Sequence, residues 1–437
     1  MFVTARLPAA AVAGTLLSLA VAVVAQSAGW WAFAITNLVL AGLLAADVAA
    51  AERPSRMSIR RELPAVMSLG RREEVVLRIA HTSSTPVRVW LRDSSPPSMN
   101  RGPMRHRILA PPQGARAISE VKPSRRGRMR LGPLTVRCEG PLGLGGRQAS
   151  LPLFSVVKVY PALPSRAQVE LRLDRARLLQ VGERSTKIRG GGTEFESLRE
   201  YHPDDEFRRI NWPATARSGK PISNHYREER NQQVFLLLDA GRMMAGSVEG
   251  ASRFEHAIDA AVAVAEMAAR VGDHVGMTAF HRQVAAFVGP RGGKAQPRIV
   301  LDQLYDLDPT LDSPNYRTAF ATLLSRHRRR ALLVLLTELT EQSAMESLFQ
   351  AIPALLARHL VIVGAVRDPG LDAAVALVPE DAQGAYLKAA ASQILLDRAV
   401  AASRLRRLGV TVVDRPPRRL AGELADHYLR IKAFGRL

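Results

Sequence analysis

Cysteine is almost missing from this sequence: Cys138 is the only one among 437 residues. An intramolecular disulfide and every multi-cysteine metal knuckle are excluded with it. Cys138 sits in "PLTVRC", alternating with Leu134 and Val136, and reads as a core thiol. Aromatics are scarce at 5%. They are not interleaved with the basic residues as stacking platforms would be, and no recognition motif accompanies them, so nucleic acid is not the expected partner. Phosphate-cradling glycines are lacking too. The run "GPRGGKA" places three residues, not four, between Gly289 and Gly293, and Ala295 follows Lys294 where Ser or Thr would be needed. The turn "LLLDAGRMM" has one glycine, Gly241, too few for a dinucleotide fingerprint. Neither a paired-histidine zinc motif nor a nucleophile elbow occurs. No catalytic residue, cofactor or small-molecule substrate is expected on these grounds.

Charge is missing altogether from two stretches near the N-terminus, Leu7–Ala25 and Ala28–Ala46, each 19 residues long. About 20 apolar residues cross a hydrocarbon core, so the pair predicts two transmembrane helices within residues 1–50. A cleaved signal peptide would not be followed at once by a second span of equal length. Arg6 precedes the first span, and Arg53, Arg56, Arg60 and Arg61 follow the second, while the turn between them is uncharged. The positive-inside rule then puts both termini and the remaining chain on the cytoplasmic side of the cell membrane. Acid is in deficit overall: the formal charge is +21. An anionic neighbour such as a membrane face is expected, and membrane lipids are one partner that the basic run "KPSRRGRMR" could touch. As an edge strand, that run would also resist edge-to-edge pairing.

What is present changes period along the chain. Over residues 55–164 the period is two, as in "EVVLRIAHT" and "VRVWLRD", with turns such as "LAPPQG" between the strands. Short strands at this spacing predict a β-sandwich of immunoglobulin-like type. Residues 165–232 form a charged connector and a distinctive segment. Over 233–437, continuous apolar runs such as "QVFLLLD", "ALLVLLT" and "LVIVGAV" alternate with helical patterns. Strands buried on both faces read this way, so a doubly wound α/β domain is expected, with "HVGMTAF" and "QVAAFV" as an edge hairpin. In the first helix Ser252 is the expected N-cap, with Glu255 completing a capping box.

The distinctive segment is "GGTEFESLREYHPDDEFRRINWPATARSGKP", Gly191 to Pro221. Arg199, Arg208 and Arg209 can pair with Glu200, Asp204, Asp205 or Glu206, and Tyr201 and Trp212 supply apolar area with a polar tip. Two uses fit: an ionic and aromatic brace between domains, which the short-range charge pairing favours, or a partner-binding site, since Arg, Tyr and Trp also make hot spots. A hard cation held by the adjacent carboxylates is disfavoured, because neighbours on one short segment point apart.

"LREY", "PDD", "RINW" and "ARSG", ahead of an α/β domain and behind a helical hairpin and β region, resemble the membrane proteins catalogued as domain of unknown function 58. The α/β domain itself is similar to a von Willebrand factor A-like domain. That family holds a divalent metal with an Asp-x-Ser-x-Ser turn, a Thr and a later Asp. Asp239 matches the first position, but Gly241 and Met243 replace both serines, and Thr337 and Glu338 stand where Thr and Asp would serve. The resemblance therefore implies a degenerate metal site, and Asp239 is expected to close its own turn. It also implies a cytoplasm-facing, non-enzymatic assembly module that partners a MoxR-type AAA+ ATPase and a client protein in envelope-linked maturation. The alternative is a hydrolase with its site at the carboxyl ends of the α/β strands.

Overall fold

The computed structural model describes residues 1–99, 104–165, 194–202, 207, 210–227 and 232–433. The chain divides into two compact units, Met1–Tyr160 and Pro161–Leu437.

The first unit opens with strand β1 (Phe2–Val3) and helices α1 (Arg6–Val24) and α2 (Gln26–Ala50). Ala25, in extended conformation, is the whole break between the helices. Both helices are long and apolar enough to span a membrane. Among the described residues ten strands follow: β2 (Ser58–Glu62), β3 (Val66–Ser68), β4 (Glu73–Ala80), β5 (Val87–Asp93), β6 (Met104–Ala110), β7 (Ala115–Val121), β8 (Gly127–Leu131), β9 (Leu134–Glu139), β10 (Gly145–Leu151) and β11 (Ser155–Tyr160). They form a five-stranded sheet β1-β10-β9-β5-β6 and two three-stranded sheets, β2-β4-β7 and β3-β11-β8. The strict alternation in β4 and β5 sends Leu77 and Ile79 from one sheet, and Val89 and Leu91 from another, into a shared core with Val136 and Cys138. Burial pushes the Cys138 thiol up to about 12, and its Sγ lies 3.3 Å from Met57 Sδ. It is an inert core residue at neutral pH.

The helical pair is tied into this β region. β1 runs antiparallel to β10, pairing Phe2 with Gly146. Asp47, near the end of α2, is buried and accepts from the backbone N–H of Leu142 (2.7 Å), Leu144 (2.7 Å) and Gly145 (3.0 Å). Arg147 in turn donates to the carbonyls of Val48 (2.9 Å) and Ala49 (3.2 Å), which the end of α2 leaves without helical partners. The glycines of "EGPLGLGG" are demanded by this contact. Gly143 has φ +70°, and a Cβ on Gly145 would stand 2.6 Å from Leu44 Cδ1.

In the second unit, β12 (Glu194–Glu200) and β13 (Ile222–Arg227) pair antiparallel around the short helix α3 (Trp212–Ser218). A six-stranded sheet then dominates. Its strands are β14 (Gln233–Asp239), β17 (His274–Phe280), β18 (Val284–Arg291), β19 (Leu332–Leu336), β20 (Leu360–Val366) and β21 (Thr411–Arg415); β15 (Ser247–Val248) and β16 (Ala251–Ser252) make a minor hairpin. The order is β18-β17-β14-β19-β20-β21, parallel throughout except for β18, which closes one edge as the expected hairpin. Successive residues of β14 feed opposite cores: Val234, Leu236 and Leu238 meet α4 (Arg253–Val271), and Phe235 and Leu237 meet α6 (Tyr316–Arg326). Helix α5 (Gln296–Leu304) and α11 (Pro417–Ala433) join the first face; α7 (Gln342–Ala351) and α10 (Ala382–Arg407) join the second, with α8 (Pro353–Leu356) and α9 (Pro369–Ala376) between. Ser252 caps α4 by accepting from the Glu255 N–H at 3.1 Å. The α4 surface is buried nearly all round, including Asp259 and Glu266, because α5 and α11 cover the sides that the sheet leaves.

Candidate functional site

The chain reverses direction across the sheet between β14 and β19, and ligands of such sheets bind beyond the strand ends at that point. Asp239 closes β14 there. Its carboxylate accepts from Gly241 N (2.7 Å), Thr337 Oγ1 (2.6 Å) and the Tyr316 hydroxyl (3.2 Å), and the latter two hydroxyls lie 2.8 Å apart. Burial raises the Asp239 pKa to about 6 against the pull of these donors, with the Glu338 charge adding to the rise. The same burial, with Asp239 beside it, lifts the Tyr316 hydroxyl well above its ordinary value.

Glu338, one residue beyond Thr337, is buried as well. It accepts from Leu339 N (3.0 Å), pairs with the buried Arg398 of α10, and meets Arg253 Nε at 2.9 Å as an ion pair rather than an aligned hydrogen bond. Arg398 also donates to Asp414 (2.6 Å) on β21 and to the Val366 carbonyl (3.2 Å) at the end of β20. One guanidinium thus ties three strand ends together.

The residues here do not fit a divalent metal. Magnesium needs near-octahedral oxygen ligation. The hydroxyl hydrogen of Thr337 and both Asp239 oxygens are committed to each other and to Gly241 and Tyr316. Glu338 is held by two arginines. Gly241 is also not simply a serine lost: a Cβ there would stand 2.9 Å from Pro314 Cδ and 3.0 Å from Asp239 Oδ1. The loop of Asp312 to Asn315 occupies that space, accepting from Arg242 N at the Asp312 carbonyl (2.9 Å). Among the described residues no cluster of three or more His, Cys, Asp or Glu side chains is placed to hold a metal.

The signature segment is built differently. Asn211 caps α3 by accepting from Ala214 N (2.9 Å) and reaches Asn224 across the pair (3.0 Å), while Thr215 Oγ1 accepts from Ile222 N (2.9 Å). Gly219, at φ +65°, ends the helix. Ser223 is buried beneath, and Lys220 pairs with Glu200 at 2.9 Å in solvent. Arg199 and Tyr201 are half-buried. Trp212 is 58% exposed and packs edge-on against Phe207, which is 69% exposed, at a centroid distance of 5.8 Å. Asp205, Arg208 and Arg209, named from the sequence, lie outside the described residues. Sequence reasoning passed over Phe207, Tyr316, Arg253 and Arg398. The last carried a signal, since an arginine in step with Ala391, Ala402 and Leu405 interrupts an apolar stripe of α10.

A membrane-type helical pair, a β region and a mostly parallel α/β domain with an arginine-filled strand-end site define the class of protein. The family described as protein of unknown function DUF58 matches residues 197–382. The chain is a DUF58 family protein, distantly related to uncharacterized mycobacterial proteins. Uncharacterized proteins of Mycobacterium bovis and Mycobacterium tuberculosis are each 23% identical over 190 residues, 43% of this chain and 59% of theirs. The match thus spans less than two thirds of the length of these curated relatives. Among solved structures, the β region is similar to two others. The CARDB domain of a Pyrococcus furiosus protein in complex with di-metal ions is 12% identical, covering 24% of this chain and 91% of that one, with a TM-score of 0.18. The complex of zinc 2-glycoprotein and prolactin inducible protein from human seminal plasma is 11% identical, covering 25% and 99%, with a TM-score of 0.20.

Proposed function

We propose that this protein is a membrane-anchored, cytoplasm-facing interaction module without catalysis of its own, which brings a client to a MoxR-type AAA+ ATPase in envelope-linked maturation. In this reading α1 and α2 cross the cell membrane, the β region is an immunoglobulin-like sandwich, and the second unit is a von Willebrand factor A-like domain. The sheet order and the acid at the end of its first strand support the last assignment. Asp239 and Glu338 are both engaged in hydrogen bonds or ion pairs, which speaks against a hydrolase centred on those two carboxylates.

The observation that carries the reading is the exposed Phe207–Trp212 pair. Two large rings held edge-on in solvent beside a capped helix are costly to leave uncovered, and a tryptophan among charged residues is the usual anchor of a protein interface. The test is capture from detergent-solubilised membranes with the full chain as bait. The parent should retain an AAA+ ATPase. Trp212→Ala should weaken that capture by about 30-fold, as loss of a hot spot does, with an unchanged melting temperature. A variant that melts lower while still holding the ATPase would make the segment an internal brace and end the docking assignment.

A further inference from the structure

The net charge is concentrated in the first unit. Residues 1–160 hold 22 Lys and Arg against 8 Asp and Glu, a surplus of 14 out of the chain's 21. Register shows where part of it lies. On the outward face of the five-stranded sheet, the row nearest α1 contains Phe2, Glu139, Arg88 and Leu109. The next outward row, two residues or roughly 7 Å further, contains Gln148, Arg137, Trp90 and Arg107. Arg92 and Arg105 follow in the third. Among the described residues of these strands Glu139 is the one acid on the face; it accepts from the Trp90 indole and lies 3.8 Å from Arg107. Leu109 is 61% and Trp90 39% exposed between the arginines. The face continues into the foot of the helical pair. Arg137 stacks over the Phe2 ring at 5.2 Å, and Arg6 and Arg88 converge on Gly143.

We propose that this sheet face docks on anionic phospholipid headgroups of the membrane that α1 and α2 cross. The inference rests on the anchor reading above. Two observations select the occupant. The pairing of β1 with β10 leaves only Thr4 and Ala5 between the sheet and α1, so the nearest row lies within a headgroup layer's depth of the hydrocarbon boundary. Its chemistry also matches: guanidinium groups fork onto phosphate, while leucine and an indole between them suit the boundary of headgroup and acyl chain. The Asp47 lock holds the face in register with the helices, so docking adds little ordering cost.

The test uses the full chain in nanodiscs of phosphatidylcholine alone or with phosphatidylglycerol. A fluorophore is placed through Leu109→Cys, since the buried Cys138 resists labelling, and quenched by shallow spin-labelled lipid. Quenching should rise with phosphatidylglycerol and fall back at 1 M salt. The double variant Arg88→Gln, Arg137→Gln should lower the docked-to-free ratio by about fivefold per arginine. Equal quenching in the two lipids overturns the proposal, as does indifference to both salt and the arginines. A response to added single-stranded RNA in neutral discs would assign the face to nucleic acid and overturn it as well. Resistance to alkaline carbonate reads the anchor separately. Release by carbonate ends the anchor reading and the docking with it, whereas retention without lipid dependence ends the docking alone.

Discussion

Asp239 shows how a carboxylate at a strand end is used inside the fold. Its neighbours turn a potential metal ligand into a buried acceptor of three hydrogen bonds. Because burial holds the folded pKa near 6, above the unfolded 3.8, the folded state takes up a proton between those values. The associated stability is fully present below about pH 4 and is lost as pH rises through 6. Asp239→Asn does not titrate, so it should gain on the parent by about 3 kcal/mol between pH 4 and pH 7. Urea titrations of both proteins across that range measure the difference, and a gain in the opposite direction would contradict the assignment. Arg398 makes a sharper case. Arg398→Met leaves Glu338 buried with the Leu339 N–H and the poorly aligned Arg253 as its partners and should cost about 3–5 kcal/mol. The companion change Glu338→Gln should recover part of that loss, because the stranded charge is then gone.

Between elements, the contact with most consequence is α2 against the β9–β10 loop. Three backbone N–H groups point at one carboxylate, so the loop is shaped as an anion cradle that the helix fills. Asp47→Ala strands all three donors and should lower stability by about 3 kcal/mol or more. Hydrogen exchange should speed up over residues 140–146 while β4 and β7 keep their protection. Uniform loss of protection over the whole first unit would mean that the cradle is needed for folding, not only for joining the helices. Helix α3 behaves as a separate local element: Asn211→Ala removes its cap at a cost of about 1 kcal/mol.

For the molecule as a whole, β1 imposes a condition that hydropathy does not. Phe2 and Val3 belong to the same sheet as β5 and β9, so the N-terminus and the β region must lie on one side of any membrane that α1 and α2 cross. Reporter fusions at the N-terminus and after Arg61 should therefore agree, and both should report the cytoplasm. Opposite sides would contradict the strand pairing; agreement on the outer side would spare it and reverse the orientation. If both report the cytoplasm, the charge surplus of the first unit would face the anionic leaflet.

Much of this architecture was written in the order of residues. Nineteen-residue uncharged runs, alternation in "VRVWLRD" and unbroken apolar runs such as "QVFLLLD" are local patterns, set by the period of each element and by what surrounds it. Ser252, as a cap, was legible for the same reason: it acts within a few residues of itself. The pairing of Asp47 with Leu142, of Arg398 with Glu338 and Asp414, and of Tyr316 with Asp239 joins residues 16 to 95 positions apart. No local period encodes such partners. A buried charge must find its counter-charge wherever the packed chain brings one, and only the tertiary structure decides which one that is.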